Sequence, residues 1–277
     1  MIKKTIIMPS KGWQFINFRE LLNYKDLLYF MVKREVLVLY KQSIFGFAWA
    51  IIRPVFSMIV FSMIFGSLAK MPSDGVPYPI FSYVALVPWI YFSTSMTKST
   101  QSLVGSAGVF TKVYFPRLII PITPVIAGLV DFIISLAVVA LLMIYYQIVP
   151  TWNIFWIPLL MVIMIMASAG IGMWLSAMAL QFRDVRHAVP FISQLLMYAA
   201  PVVWPVSLLS EKFGDKIAMW YGIYPMVGVI EGFRSALIGT SPMPWDLICM
   251  GTISSLFLFL SGALYFRRKE RIFADVA

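Results

Sequence analysis

Four ionisable side chains lie inside long apolar stretches of the sequence, where a charge has its largest chemical effect. Arg53 lies in WAIIRPVFSMIVF, Asp131 in the apolar run from 118 to 147, and Glu231 and Arg234 in YPMVGVIEGFRSALI. A charge within a membrane is costly, so it usually faces a cavity or an opposite charge. Because Glu231 and Arg234 are three residues apart, they can form an ion pair on one face of a helix.

Arg53 has two interpretations, and the residues around it leave both open. Its guanidinium can face a cavity or a neighbouring helix, with Asp131 as the candidate partner, or it can reach back to the headgroups along its aliphatic stem. Pro54 follows it and removes one helical hydrogen bond, which bends the helix. If Arg53 faces a cavity, its planar fork suits a phosphate group, to which it can donate two hydrogen bonds.

Residues for enzymatic chemistry are scarce. The chain lacks the G-x-x-x-x-G-K-[ST] loop that binds nucleotide phosphates. His187 is the only histidine and Cys249 the only cysteine, so neither a zinc site nor an intrachain disulfide is expected. We interpret His187 as a solvated loop residue and Cys249 as a packing residue. Because the carboxylates are scattered, we predict neither a catalytic site nor a metal site.

Composition places the chain in a membrane. Its 277 residues are 61% hydrophobic and 12% charged, whereas soluble domains carry about 25% charged residues. The net charge of +10 would suggest nucleic acid in a soluble protein. In a membrane protein the positions of the charges matter more than their sum, and we predict no nucleic-acid partner. The N-terminus has too short an apolar patch for a signal-peptide core.

Six apolar segments are long enough, at about 20 residues, to cross a bilayer as helices. Short polar connections separate them, and no repeat or low-complexity linker divides the chain. We therefore predict an all-α integral membrane protein that forms a single domain over residues 1–277. The predicted spans are about 44–69, 79–98, 118–147, 154–180, 188–207 and 243–266.

Lysine and arginine residues set the predicted orientation, because they are concentrated on the cytoplasmic side of membrane proteins. With the N-terminus inside, the cytoplasmic cations are those of 3–41, 98–117, 183–186 and 267–271. Outside remain Lys70, Lys212, Lys216 and Arg234. This asymmetry predicts a multi-pass membrane protein with both termini in the cytoplasm.

The segment IAMWYGIYPMVGVIEGFRSALI, residues 217–238, challenges the count of six spans. If it crossed, the tail RRKER would lie outside, and Glu231 and Arg234 would each cost about 2.5 kcal/mol or more in the hydrocarbon. We favour a re-entrant pair that dips into the membrane, turns near Tyr224-Pro225 and returns. Such backbone must be buried in protein or line a cavity. A helix on the outer surface is the alternative.

Residues 18–41 have the pattern of an amphipathic interface helix on the cytoplasmic headgroups. Apolar side chains follow one face, interrupted only by Lys25, and most charged residues lie on the other, together with Leu27, Phe30 and Leu37. This mixed side can hold a protein partner as well as membrane lipid. A helix that only anchors the chain is the alternative.

Aromatic residues make up 16% of the chain and cluster in VPWIYF (87–92), YYQIVPTWNIFW (145–156), VVWP (202–205) and MWYGIY (219–224). Most of these positions suit the aromatic belts of the membrane interfaces. The remainder could line a path for sugars, because aromatic faces stack on sugar rings. The candidate channel residues are Trp89 and Tyr91, with Arg53 and Asp131.

Four segments carry a resemblance to a known family: REVLVLYKQSIFGFAWAIIRPV (34–55), FTKVYFPRLIIP (110–121), QFRDVRHAVPF (181–191) and YPMVGVIEGFRSALIG (224–239). Together they resemble the membrane permeases of type-2 ABC transporters that export polysaccharides, the O-antigen, capsule and teichoic acid class. The resemblance covers nearly the whole chain. It implies an interface helix, six spans and a re-entrant pair before the last span, which are the elements predicted above.

The resemblance also implies a working unit and a cargo. Two permeases and two separate ATPase subunits form the exporter, with the channel at the permease dimer interface and ATP and Mg²⁺ on the ATPase. The chain itself would be no enzyme and would hold no cofactor. It would move a lipid-linked polysaccharide, O-antigen or capsule, across the inner membrane. A stand-alone carrier or a lipid-modifying membrane enzyme is the alternative.

In that family a helical loop between spans two and three couples the permease to the ATPase. Here the loop is TKSTQSLVGSAGVFTKVYFPR, residues 97–117, and its apolar anchors at helical spacing suit a groove on a partner. We predict a second, smaller contact at 182–187. The candidate coupling residues are Phe110, Lys112, Tyr114, Arg183, Asp184 and Arg186.

Overall fold

The computed structural model describes residues 22–41, 45–106, 108, 115–270 and 273. Over these ranges the chain is helical apart from short connections. In chain order, the helices are α1 (Lys25–Lys41), α2 (Trp49–Phe61), α3 (Tyr78–Gly105), α4 (Ile119–Tyr146), α5 (Ile157–Gln181), α6 (Asp184–Ala199), α7 (Ser207–Phe213), α8 (Asp215–Tyr221), α9 (Pro225–Leu237) and α10 (Trp245–Lys269). The 3₁₀ turns Gly46–Ala48 and Trp152–Trp156 precede α2 and α5, and a π-helical segment, Ser62–Leu68, continues α2.

Helix α3 is the centre of the bundle. It packs against α2, α4, α5, α6 and α9, and its apolar residues follow no single face, as expected of a buried helix. Small residues let its neighbours come close. A Cβ on Gly172 of α5 would meet Ser99, and one on Gly128 of α4 would meet Ser95. Ser99 also donates a hydrogen bond to the carbonyl of Pro121 at the start of α4 (2.8 Å).

Helices α5 and α10 pack with their backbones in contact. A Cβ on Gly170 would lie 2.6 Å from the backbone of Leu258, and one on Gly262 would meet the carbonyl of Gly170. Small residues at helix interfaces are the usual means of close approach in membranes. Beside this contact, the rings of Trp174 and Tyr265 stack with centroids 4.2 Å apart.

Five of the described helical segments are long and apolar enough to cross a membrane: Gly46–Leu68, Tyr78–Gly105, Ile119–Tyr146, Trp152–Gln181 and Trp245–Lys269. Four match predicted spans within about three residues. The second was predicted to end at 98, but α3 continues to Gly105. Its hydroxyl side chains bond back to carbonyls one turn earlier, as Thr97 does to Ser93 (2.8 Å), and so do not interrupt the helix.

The fifth predicted span, 188–207, corresponds to α6, which begins and ends earlier than predicted. Pro201 and Pro205 explain its end at Ala199, because proline lacks a backbone N–H and disfavours helical backbone at the residue before it. The helix has 16 residues and is thus about 24 Å long, shorter than the hydrocarbon core of about 30 Å.

The segment 217–238 is divided between two short helices. α8 ends at Tyr221 and α9 begins at Pro225, so the chain turns where the sequence predicts. All 13 residues of α9 are buried, between α3, α5 and α10. A helix of this length covers about 20 Å and cannot cross a bilayer alone.

Helix α1 packs against α4 through one side only. Leu27 and Met31 contact the core of the bundle, although the sequence pattern placed Leu27 on the polar side. Phe30 and Val38 are 63% and 62% exposed. Both the inner and the outer face of α1 are therefore apolar. The described residues begin at 22, so residues 18–21 of the predicted helix lie outside them.

Candidate functional site

Arg234 is fully buried in α9 and bonds in several directions. Its Nη1 lies 2.8 Å from Oε1 of Glu231, so the pairing expected from their spacing is present. Its Nη2 donates a hydrogen bond to the carbonyl of Val202 (3.0 Å), and its guanidinium lies 3.6 Å above the ring of Phe81. Glu231 in turn accepts a hydrogen bond from the backbone N–H of Val206 (3.2 Å).

These contacts form a clamp, which we define as Glu231, Arg234 and the segment 200–206. The clamp joins α9 to the loop that follows α6 and, through Phe81, to the first turns of α3. Tyr78 adds a hydrogen bond from its hydroxyl to the carbonyl of Val203 (2.7 Å). A buried ion pair is tolerated when further hydrogen bonds satisfy its atoms. The pair is buried within the chain and bonds to it.

Helix α6 differs sharply, because the chain leaves most of its surface uncovered. Only Val189 is buried, whereas Phe191 and Tyr198 are 62% and 60% exposed. Gln194 lies between them and is also exposed. The three are spaced by three and four residues and form one stripe along the helix. Ring faces beside an amide suit sugars, which offer both C–H faces and hydroxyl groups.

This stripe was not predicted from the sequence, and the predicted aromatic candidates lie on α3. The available signal was Gln194, an uncharged polar residue in an otherwise apolar stretch. In the structure, Trp89 and Tyr91 are only 3% and 4% exposed. Tyr91 donates its hydroxyl hydrogen to the carbonyl of Val125 in α4 (2.9 Å). Both side chains are buried among the neighbours of α3 in the single chain, and their role in a channel stays a prediction.

Arg53 is exposed on α2, and its guanidinium lies 5.5 Å from the ring centroid of Trp49, one turn nearer the start of the helix. No ion pair among the described residues joins it to Asp131, so the suggested partner is not in contact with it within the single chain. α2 meets α4 where Ser135 Oγ donates to the carbonyl of Ala50 (3.2 Å). Asp131 lies one turn before that contact and Arg53 nearly one turn after it, a separation of about 10 Å along the helices.

Asp131 is half-buried, and its Oδ1 has no hydrogen-bond partner within the described part of the chain. Lys98 lies inside α3 and is half-buried, whereas the sequence placed it at the end of the second predicted span.

The candidate coupling residues divide into two groups. Phe110, Lys112 and Tyr114 lie outside the described residues. Arg183 and Asp184 are exposed where α6 begins, and Arg186 is half-buried, one turn into the helix. The described part of the predicted coupling surface, which begins at Arg183, is therefore accessible to a partner.

The fold and these surfaces define a multi-pass helical membrane protein, with one buried central helix and two largely uncovered helices, α2 and α6, beside it. Residues 26–238 match the family model described as ABC-2 type transporter. The chain belongs to this family.

Curated relatives extend over almost the whole chain. An O-antigen export system permease protein RfbA of Myxococcus xanthus is 28% identical over 91% of this chain and 96% of its own length. A protein of the same name from Klebsiella pneumoniae is 26% identical over 91% of this chain and 95% of its own. The polysialic acid transport protein KpsM of Escherichia coli is 25% identical over 86% of this chain and 91% of its own.

Proposed function

We propose that the chain is the membrane subunit of an ATP-driven exporter of lipid-linked polysaccharide, of the O-antigen or capsule class, in the inner membrane. The observation that carries this proposal is end-to-end similarity: relatives named for O-antigen export and for polysialic acid transport align over nearly their full length. ATP and Mg²⁺ belong to a separate ATPase subunit, and this chain supplies the path.

The path lies between two copies of the chain. α2 and α6 both contact the central helix α3, and both expose most of their surface. Exposed apolar residues alone would suit lipid, but α2 also exposes Arg53 and α6 exposes Gln194. A polar group within a membrane span is expected to face water or protein. Pairing of two chains through this side would enclose both residues in one channel.

The topology follows from the same elements. α6, extended by the buried segment 200–206, is the fifth of six spans, which leaves both termini in the cytoplasm. α8 and α9 form the re-entrant pair, and the clamp holds α9 between the spans near the outer side. α1 is the interface helix on the cytoplasmic leaflet, where its exposed Phe30 and Val38 enter the lipid headgroups.

The ATPase binds at the cytoplasmic end of the predicted coupling segment 97–117, after α3 ends at Gly105, with Phe110 and Tyr114 as apolar anchors and Lys112 beside them. Arg183, Asp184 and Arg186 form a smaller second contact. A stand-alone carrier or a lipid-modifying membrane enzyme would need no such surface. Coupling to an ATPase therefore separates the two classes of function.

The decisive experiment reconstitutes the chain with a co-expressed ATPase subunit in vesicles and measures ATP-dependent movement of lipid-linked polysaccharide. We expect transport only when both subunits are present. Phe110→Ala with Tyr114→Ala should reduce ATPase co-purification or uncouple hydrolysis from transport, because apolar anchors supply most of the affinity of such contacts. Transport by this chain without the ATPase would refute the proposal.

A matched control tests the position of the coupling surface. Tyr145 and Phe155 are 78% and 73% exposed on the opposite, outer side. Tyr145→Ala with Phe155→Ala removes as many aromatic rings but should leave the ATPase complement and its coupling intact. Equal losses from the two double variants would mean that the ATPase site is not on the loop 97–117.

A further inference from the structure

The end of α10 bonds to the first of the two segments that are assigned to ATPase coupling, the predicted segment 97–117. The backbone N–H of Arg117 donates a hydrogen bond to Oε1 of Glu270 (3.3 Å). The guanidinium of Arg117 returns to the same residue, because its Nη1 donates to the carbonyl oxygen of Glu270 (2.6 Å). Two hydrogen bonds thus join the last residue of the first coupling segment to the residue that follows α10.

A second connection is made one residue earlier in the chain. Nζ of Lys269, the last residue of α10, donates a hydrogen bond to Oε1 of Gln181, the last residue of α5 (3.4 Å). Gln181 directly precedes the second coupling segment, 182–187. Two consecutive residues at the end of α10 therefore contact the end of one coupling segment and the start of the other.

Burial and packing make this end of α10 a firm support. Phe273 is fully buried, and its ring lies beside that of Phe266 with centroids 5.1 Å apart. Phe115, near the end of the first coupling segment, is also buried. Farther along its length, α10 packs on α5 through close backbone contacts. Because packed interiors resist deformation, a support of this kind can hold a bonded segment in one position.

We propose that Lys269, Glu270 and Phe273, which we name the C-terminal support, hold the two coupling segments in fixed positions so that the ATPase binds both at once. Arg117 and Gln181 are the positioning residues through which the support acts. This inference rests on the proposed export function. A surface that is ordered in advance binds more tightly, because less conformational freedom is lost at the moment of binding.

The first test titrates the ATPase subunit onto the permease in nanodiscs. Arg117→Ala should weaken ATPase binding at least about fivefold, because the guanidinium bond to Glu270 is lost and the segment must become ordered on binding. Arg268→Ala removes an exposed cation from the same end of α10 and should bind the ATPase as the parent protein does. Binding by Arg117→Ala at the parent level, or an equal loss from Arg268→Ala, overturns the proposal.

A chemical link separates positioning from direct contact with the ATPase. In a Cys249→Ser background, Arg117→Cys with Glu270→Cys removes both side chains and should weaken ATPase binding as Arg117→Ala does. A short bis-methanethiosulfonate reagent then joins the two positions, and mass spectrometry verifies the link. The linked protein should bind the ATPase to within about twofold of the parent protein, and reduction should reverse the gain.

Two results of the linking experiment contradict the proposal. If Arg117 acts by touching the ATPase itself, the link cannot restore binding, since the guanidinium is still missing. If no link forms, the two positions are not adjacent in the membrane-embedded protein.

Thermal unfolding shows whether the support has only a structural role. Arg117 is half-buried, so Arg117→Ala should lower the unfolding temperature little. Ile163→Ala, at a buried position in the middle of α5, should lower the unfolding temperature more and leave ATPase affinity unchanged. ATPase affinity that falls in step with stability across these variants would mean that the support is merely structural, and the proposal fails.

Lys269→Met tests the connection to the second coupling segment. It should weaken ATPase binding about twofold to threefold, less than Arg117→Ala, because the hydrogen bond to Gln181 is long. Binding by Lys269→Met at the parent level would overturn the part of the proposal that concerns the segment 182–187.

Amide hydrogen exchange of the permease alone distinguishes this inference from the proposed function. Without ATPase, Arg117→Ala should speed exchange over residues 106–116 relative to the parent protein, because exchange reports local opening. If exchange responds in this way but the parent complex exports no polysaccharide, the proposed function alone is contradicted. Export and ATPase binding at the parent level in Arg117→Ala contradict the support alone.

Discussion

Helices α6 and α9 are near one another in sequence and similar in length, yet α9 is buried and α6 is exposed. α9 buries all 13 of its residues, including an ion pair, whereas α6 buries only Val189. The clamp connects them, because Arg234 of α9 bonds to the carbonyl of Val202 in the loop that follows α6. Helix α9 is part of the protein interior. Helix α6 is exposed, and α9 holds it in place through this contact.

This contrast separates residues that determine folding from residues available for function. A buried charge such as Arg234 raises a functional hypothesis when it is seen only in the sequence. In the structure its bonds go to the chain itself. The exposed Gln194 of α6 has weaker chemistry but lies where a second copy or a cargo can reach it. Substitutions in α9 should therefore lower stability, and those in α6 should lower transport.

The largest effect is expected at the clamp. Arg234→Leu leaves Glu231 buried without its partner, which typically costs about 3–5 kcal/mol. The double variant Glu231→Leu with Arg234→Leu should be more stable than Arg234→Leu alone, because no isolated charge remains. Thermal unfolding in detergent, followed by fluorescence-detected size exclusion, measures both. A single variant as stable as the parent protein would show that α9 is not held by this pair.

A smaller loss is expected from glycine substitutions in α9. A Cβ on Gly228 would lie 2.6 Å from the backbone carbonyl oxygen of Leu247, whereas one on Gly232 would meet side-chain ends, of which Leu160 is nearest at 2.8 Å. Backbone cannot yield as a leucine methyl group can. Gly228→Ala should thus cost about 1–3 kcal/mol, and Gly232→Ala less. Gly105→Ala, with no heavy atom within 4 Å of the added Cβ, is the control. The reverse order in the same unfolding assay would contradict close packing of α9 on α10.

The order and approximate limits of the long helices could be predicted from the sequence, because length and apolar content determine which segments can cross a bilayer. The break before Pro225 was also predictable from its residues. The end of α6 was misplaced by eight residues, since the apolar content of 200–206 continues past Ala199 and only the prolines mark the change. Hydropathy does not distinguish a helix from a buried loop.

The site was less predictable, because sequence does not show which face of an apolar helix is covered. Trp89 and Tyr91 looked suitable for sugars, but both side chains are buried among the neighbours of α3. The sequence placed Lys98 at the end of a predicted span. The structure places it inside α3, because that helix continues to Gly105. By contrast, Glu231 and Arg234 were predictable, since their contact depends on local spacing alone.

For the stripe on α6, we predict a moderate loss of transport and almost no loss of stability. Gln194→Leu removes the amide from the exposed face, and we expect export to fall several-fold, about the value of one or two neutral hydrogen bonds. The unfolding temperature should change little, because exposed substitutions usually shift stability by less than about 0.5 kcal/mol.

Vesicle transport and thermal unfolding are measured on the same preparation. Ile192→Leu, also exposed on α6, is the control. Export at the parent rate by Gln194→Leu would leave α6 as a lipid-facing helix.

The smallest effect is expected at the start of α6, where Arg183 is exposed beside Asp184. If this end of the helix is only the rim of the ATPase contact, Arg183→Gln should weaken ATPase binding less than about fivefold, since exposed charge pairs contribute little. The difference should shrink further at high salt, which screens exposed charges.

Titration of the ATPase onto permease nanodiscs at two salt concentrations measures both effects, and Arg186→Gln tests the half-buried neighbour one turn into the helix. A loss of more than tenfold that persists at high salt would mean that a partner buries Arg183 fully. In that case α6 is covered at its cytoplasmic end, and its contrast with α9 applies only to the single chain.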